Sequence, residues 1–188
     1  MCNPASFVVF EDRVLWSRVG DSHEQIRQEN GIAVRQDGVL DWEREGIPCE
    51  IVPPDRDYTL PLDKWQFMWD EGVNPAKLPA WAFDAEVRCR TCLDSWAASH
   101  VVREGEHECG DGRTLVLLGT ARLVGQTGGR VWLYGNAQSH GQTGGVACLY
   151  GQAQSHGQAD GEVWLFEQAQ SHGQAGGRAW RGGMVLRG

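Results

Sequence analysis

The stretch GRVWLYGNAQSHGQTG, residues 129–144, is followed without a break by GVACLYGQAQSHGQAD (145–160) and GEVWLFEQAQSHGQAG (161–176). The phrase AQSHGQ begins at Ala137, Ala153 and Ala169, sixteen residues apart each time. A shorter row, LVLLGTARLVGQTG (115–128), precedes these three, and a degenerate one, GRAWRGGMVLRG (177–188), follows them. A short fixed period of this kind is the signature of stacked structural units. Sixteen residues do not fit a hexapeptide coil of about eighteen or a pentapeptide coil of about twenty residues per turn.

Within a row the alternation has period two. Val131, Leu133, Gly135, Ala137, Ser139, Gly141 and Thr143 are apolar or small, whereas Arg130, Trp132, Tyr134, Asn136, Gln138, His140 and Gln142 are large or polar. Strands send alternate side chains to opposite faces, so the first set is expected inside and the second outside. A helix cannot satisfy this pattern. The bulky Val-Leu half of each row, facing the Ala-Ser-Gly half, predicts a short parallel β-solenoid of 16-residue, two-strand coils. The pairs Gly128-Gly129, Gly144-Gly145 and Gly176-Gly177, with Asp160-Gly161 in the same slot, are expected to supply positive φ at the corners.

If each row is one turn, equivalent residues stack about 4.8 Å apart and form continuous ladders. The letters repeat because each side chain must match the one above it. The expected outward ladders are Gln138/Gln154/Gln170, His140/His156/His172, Gln142/Gln158/Gln174, Trp132/Cys148/Trp164/Trp180 and Tyr134/Tyr150/Phe166. A continuous aromatic stripe (Trp132, Tyr134, Tyr150, Trp164, Phe166, Trp180) is expected to meet another surface, and a second copy of the chain is the favoured partner. The competing reading places the stripe under the first domain. The histidine stripe reads as a solvated polar ladder, since a straight row of imidazoles does not converge as zinc ligands must.

The 188 residues include 25 glycines and 9 tryptophans. Residues 1–112 carry 11 basic and 22 acidic side chains, a net −11, and residues 113–188 carry 6 and 3, a net +3. This asymmetry predicts an acidic α+β domain over 1–112 and the solenoid over 113–188. The acidity disfavours nucleic acid, whose phosphates need Lys and Arg, and suits either a basic partner or plain solubility. Apolar runs are too short to span a bilayer, and no charged-then-apolar leader opens the chain, so a cytoplasmic location and no membrane contact are expected. Six cysteines in that setting favour free thiols, a metal site or a nucleophile over disulfides.

In the first half, SFVVF and RVLWS around Glu11-Asp12 predict a β-hairpin. Ser22 and Gln25 fit a capping box, and Gly31 a helix stop. CEIVPPD and KWQFMWD read as strands, FDAEVRCRTCLDSWAAS as a helix and HVVREG as a short strand. Val87, Cys89, Cys92, Leu93 and Trp96 recur at helical spacing as one apolar face.

Two constellations carry chemistry. Cys89 and Cys92, with His107 and Cys109 downstream, form a CxxC plus HxC set whose four ligands complete a zinc tetrahedron. The uninterrupted helical run around them favours core thiols instead, and no cofactor is the leading expectation. Cys2, exposed by loss of Met1, would have a free α-amine to act as base for its own thiol. His23 can serve it as base or orienter, and Asp21, Asp55 and Asp57 are carboxylates of unknown distance. The alternative is a small buried residue leading into the first strand.

The segments MCNPASFVVFEDRVLWS, DSHEQI and EIVPPDRDYTLPLDKW resemble a group of bacteriophage and prophage proteins that open with MCN and carry DSHE and PP-D motifs. The resemblance covers about the first hundred residues, and the repeats look like those of phage proteins with solenoid tails. It implies a setting, the cytoplasm of an infected bacterium, rather than a reaction, and marks Cys2, Asn3, Asp21, Ser22, His23 and Glu24 for testing. The sixteen-residue coil is also similar to the repeat of ice-nucleation proteins, but their Thr-x-Thr rows are absent. Two functions stay open. One is a phage-associated scaffold that self-associates, as a dimer, and presents the acidic module to a host protein; the other is a small amidohydrolase or transferase using Cys2, with the solenoid for oligomerisation.

Overall fold

The computed structural model describes residues 5–33, 41–108, 112–158, 160–173 and 176–182, and the backbone of 184–186. The chain divides into two compact units, residues 1–99 and 100–188.

The first unit is built on a four-stranded antiparallel sheet. Strands β1 (Ser6–Val9) and β2 (Val14–Leu15) form the expected hairpin, closed by Phe10 N–H donating to Arg13 O at 2.8 Å. Helix α1 (His23–Glu29) follows, then the single turn α2 (Trp42–Glu45), β3 (Ile47–Val52), β4 (Gln66–Trp69) and the long helix α3 (Ala85–His100). The sheet order is β2-β1-β3-β4. Ser22 caps α1 by accepting from Gln25 N, and Gly31 ends it at φ +68°. The Gln25 side-chain amide donates to Glu29 Oε1 at 3.1 Å, one turn further along α1. On α3 the buried residues are Ala85, Cys89, Leu93, Trp96 and His100, spaced by three or four, which is the period of one helical face. Val87, expected on that face, is 66% exposed.

The second unit is a succession of short parallel strands: β5 (Val101–Val102), β6 (Glu106–Glu108), β7 (Leu115–Leu117), β8 (Arg122–Val124), β9 (Gln126–Thr127), β10 (Arg130–Leu133), β11 (Gln138–Ser139) and β12 (Gln142–Thr143). The pattern continues through β13 (Val146–Leu149), β14 (Gln154–Ser155), β15 (Glu162–Leu165), β16 (Gln170–Ser171) and β17 (Ala179–Arg181), and closes with β18 (Met184–Leu186). One sheet has the order β18-β17-β15-β13-β10-β7-β5 and the facing one β16-β14-β11-β8-β6. This is a parallel β-solenoid of about five turns. Its register is sixteen residues: Val131 pairs with Ala147, and Ala147 with Val163. A third narrow side, β9 with β12, adds a small pair that the two-strand reading lacks. The last strand, β18, turns back antiparallel onto β17 and so ends the parallel stack on that face.

The interior follows the predicted alternation. Leu115, Leu117, Val131, Leu133, Leu149, Val163 and Leu165 on one side pack against Ala121, Ala137, Ala153 and Ala169 on the other. Large against small lets the two sheets approach closely without voids. The coil begins at Val101, so its first turn takes in a segment that composition groups with the acidic half. That turn lacks the AQSHGQ phrase and the paired glycines, and its period is therefore invisible in the sequence.

The glycines act differently from the expectation. Gly129, Gly145 and Gly161 are not among the residues of positive φ. They are needed because a Cβ on Gly145 would collide with the carbonyl oxygen of Gly129, one on Gly161 with that of Gly145, and one on Gly157 with that of Gly141. The left-handed corner lies elsewhere, at Gly119 (φ 59°), Gly135 (66°) and Gly151 (68°). Glu167 takes the same position in the next turn with φ 56°, where a side chain is strained by about 1–2 kcal/mol. Glu167→Gly is therefore expected to stabilise the fold by about 1 kcal/mol. Gly157→Ala is expected to destabilise it by roughly 1–3 kcal/mol. Thermal and denaturant melts of the two variants against the parent check both signs.

Candidate functional site

Two features of the molecule combine chemistry with defined geometry, and each lies within one unit. In the first unit, strand β1 begins beside a polar cluster. Ser6 N–H donates to Asp21 Oδ1 at 2.9 Å, and Ser6 Oγ donates to Asp21 O at 3.2 Å. Ser6 also faces Glu50 across the sheet. His23, the first residue of α1, is buried, with Nε2 3.0 Å from Cys49 O and Nδ1 3.0 Å from Asp70 Oδ2. The ligand-capable atoms of His23, Glu50 and Asp70 lie within 4.8 Å of one another.

The hydrogen bonds decide what His23 can do. A backbone carbonyl only accepts, so Nε2 carries a proton. The hydrogen bond from His23 is the main reason that the Asp70 carboxyl is held below its ordinary value of 3.8, against the opposing effect of burial. Both ring nitrogens of His23 are therefore engaged, Nε2 by the Cys49 carbonyl and Nδ1 by the Asp70 carboxyl. This arrangement suits an orienting or structural role, clamping the start of α1 to β3 and to the residue that follows β4.

Cys2 and Asn3 lie outside the described residues, as does Cys109. Asp55 is exposed in the short turn after β3, at φ 54°, and Asp57 accepts from Thr59 N at 3.0 Å. Cys89 faces the core of the first unit, its Sγ 3.6 Å from Cys49 Sγ. Burial, with the neighbouring Cys89, raises the Cys49 thiol well above its ordinary range, and burial raises Cys92 too. His107 belongs to β6 of the second unit. Glu50 and Asp70 were not legible as partners of His23, since they are far apart in sequence and only strand pairing joins them.

In the second unit the repeated side chains form true ladders. Tyr134 stacks on Tyr150 at 4.7 Å and 8°, Tyr150 on Phe166 at 4.5 Å and 4°, and Trp164 on Trp180 at 5.2 Å and 12°. Cys148 interrupts the tryptophan column, and Trp132 instead lies parallel to Tyr150 at 6.3 Å. The rungs differ in exposure: Trp132 and Tyr134 are buried, whereas Tyr150, Trp164, Phe166 and Trp180 are half-buried. The expectation of a uniformly outward stripe therefore holds only for its later rungs.

The chain matches no known family model, no curated protein and no solved structure. Among the described residues no helix is long and apolar enough to cross a membrane.

The imidazoles of His140, His156 and His172 stack at 4.8 and 5.1 Å. His140 and His156 each donate Nε2–H to the glutamine two residues earlier, Gln138 and Gln154, at 2.9 and 3.0 Å. Parallel rings at strand spacing do not aim at one point, so the column is a stacked ladder rather than a ligand set. Desolvation lowers the His140 pKa from 6.5, Arg122 and His156 lower it further, and Glu106 opposes them. The folded state thus favours neutral His140: its contribution is complete above about pH 6.5 and is lost as pH falls below that value. Melting temperature is expected to drop between pH 7.5 and pH 5, and His140→Gln to lessen the drop. Parallel thermal melts at the two pH values measure it.

Proposed function

We propose that the chain is a non-enzymatic interaction protein, in which an acidic α+β module is carried on a β-solenoid that pairs with a second copy of itself. The observation that carries this reading is the half-buried run of parallel aromatic rungs, Tyr150, Phe166, Trp164 and Trp180. Rings locked in register by strand pairing lose little conformational freedom on docking, so their apolar area is converted efficiently into association. A twofold pair of identical ladders is self-complementary in shape and period. In keeping with the phage resemblance of the first hundred residues, the setting is an infected bacterial cytoplasm and the target of the acidic module a host protein. Zinc and other cofactors have no part in this function.

Light scattering after size exclusion tests the assembly. The parent is expected to run as a dimer, and the variant with Tyr150, Trp164 and Trp180 all replaced by Ser is expected to be monomeric at the same concentration, a weakening of at least about 100-fold. A monomeric parent overturns the reading.

A second reading, an enzyme with Cys2 as nucleophile, draws on the placement of Ser6 beside Asp21 and Glu50. Asp21 and His23 then orient the amino-terminal segment. Cys49, Cys89 and Cys148 are buried, and burial raises the Cys49 and Cys92 thiols, so these four react slowly with a thiolate-selective probe. Rapid labelling of Cys2 that slows at least about tenfold in His23→Ala supports the enzyme; uniformly slow labelling supports the scaffold.

A further inference from the structure

The first unit has an open cleft of about 700 Å³ whose walls include Phe10, Trp42 and Trp81 and whose rim carries Glu11, Asp12 and Glu43. Trp42 and Trp81 are half-buried, each packed against the cluster of Ile47, Val73 and Ala82. Their inner surfaces are thereby anchored, and their remaining surfaces line the cleft. All three carboxylates belong to exposed residues.

The cleft already shows the chemistry it accepts. The guanidinium of Arg13 sits 4.3 Å from the centroid of the Phe10 ring while one of its nitrogens meets both carboxylate oxygens of Asp12, at 3.0 and 3.1 Å. A cation held between an aromatic face and a carboxylate is the arrangement that ring quadrupoles favour. Arg13 and Asp12 neutralise one another, so Glu11 and Glu43 remain as the excess negative charge beside two indoles.

The walls are held together from behind. Arg88 donates from Nη1 to Phe10 O at 2.8 Å and to Glu11 O at 2.9 Å, and from Nη2 to Trp81 O at 3.4 Å, while it pairs with Asp84 at 3.0 Å. One half-buried guanidinium thus joins the hairpin tip to the segment carrying Trp81, so the spacing of the walls is set before any ligand arrives. Preorganisation of this kind lowers the cost of binding.

We infer that this cleft binds an alkylammonium group, offered by a lysine side chain on a basic segment of a partner protein. The aliphatic stem of lysine packs along the indoles while the ammonium reaches Glu11 and Glu43, a division of labour that suits its amphipathic side chain. The volume exceeds that of one side chain and accommodates the residues flanking the lysine. Charge complementarity selects this occupant, since residues 1–99, the first unit, carry 10 basic and 18 acidic side chains, a net −8. The inference rests on the reading of the first unit as the partner-facing module and gives that partner a chemistry.

The test titrates the full chain with a short lysine-rich peptide, the same peptide with every lysine acetylated, and spermidine, observing the indole N–H resonances of Trp42 and Trp81 assigned through Trp42→Phe and Trp81→Phe. The unmodified peptide is expected to shift both indoles and to bind at least about tenfold more tightly than the acetylated one. Glu43→Gln, at an exposed position that leaves folding intact, is expected to weaken it about three- to tenfold, and raised salt to weaken it further. Equal binding of the acetylated peptide, silent indoles, or spermidine binding where the peptide does not would each overturn the inference. Silent indoles in a chain that still dimerises would remove this inference alone; a monomeric chain whose indoles respond would remove the solenoid-pairing reading alone.

Discussion

The close approach of backbone to backbone at every sixteenth residue is the constraint from which the second unit follows. Gly141, Gly157 and Gly173 each stand directly over the carbonyl of the glycine one turn earlier, with no room for a Cβ between them. That contact enforces the register, and the register then forces like residues into columns. Once Gln138 pairs with Gln154 and Ser139 with Ser155, the aromatic and imidazole ladders are geometric consequences. The small side chains of the facing sheet belong to the same logic, because Ala137 and Ala153 let Leu133 and Leu149 reach across a thin interior.

The first unit is held by a different kind of interaction. Its sheet is short, and polar groups complete what apolar burial begins. Arg27 donates to Glu45 O and Gly46 O, Arg88 to Phe10 O and Glu11 O, and Arg90 to Trp65 O. These guanidinium groups satisfy backbone carbonyls at the ends of helices and strands. The pair of buried His23 with half-buried Asp70 serves the same end between α1 and the residue that follows β4. One unit is thus regular and repeated, whereas the other is irregular and tied by single residues. A rigid ladder suits assembly, and an irregular acidic surface with fixed aromatic walls suits recognition; the proposed function assigns them in that way.

Legibility in the sequence tracked the range of the interactions. The hairpin, the Ser22 cap, the α3 helix and the sixteen-residue coil are encoded by neighbours in sequence or by exact repetition, and they appear as read. The grouping of Glu50 and Asp70 with His23, and of Trp42 with Trp81, depends on chain segments brought together by the sheet. Composition offered only the high tryptophan content as a signal for the latter. The paired glycines show a subtler limit. Their need was visible, but its cause was close approach and not positive φ, and the two causes leave the same letter in the sequence.

The amino-acid sequence alone determined the period, the inward and outward sets, and therefore the parallel coil, because a repeat writes its long-range contacts as local identity. Tertiary structure alone decided that the coil starts at Val101, that Trp132 and Tyr134 are buried while Tyr150 and Trp180 are only half-covered, and that both nitrogens of His23 are engaged. Those outcomes depend on which surfaces and carbonyls meet in space, and such meetings carry no signature in the order of residues.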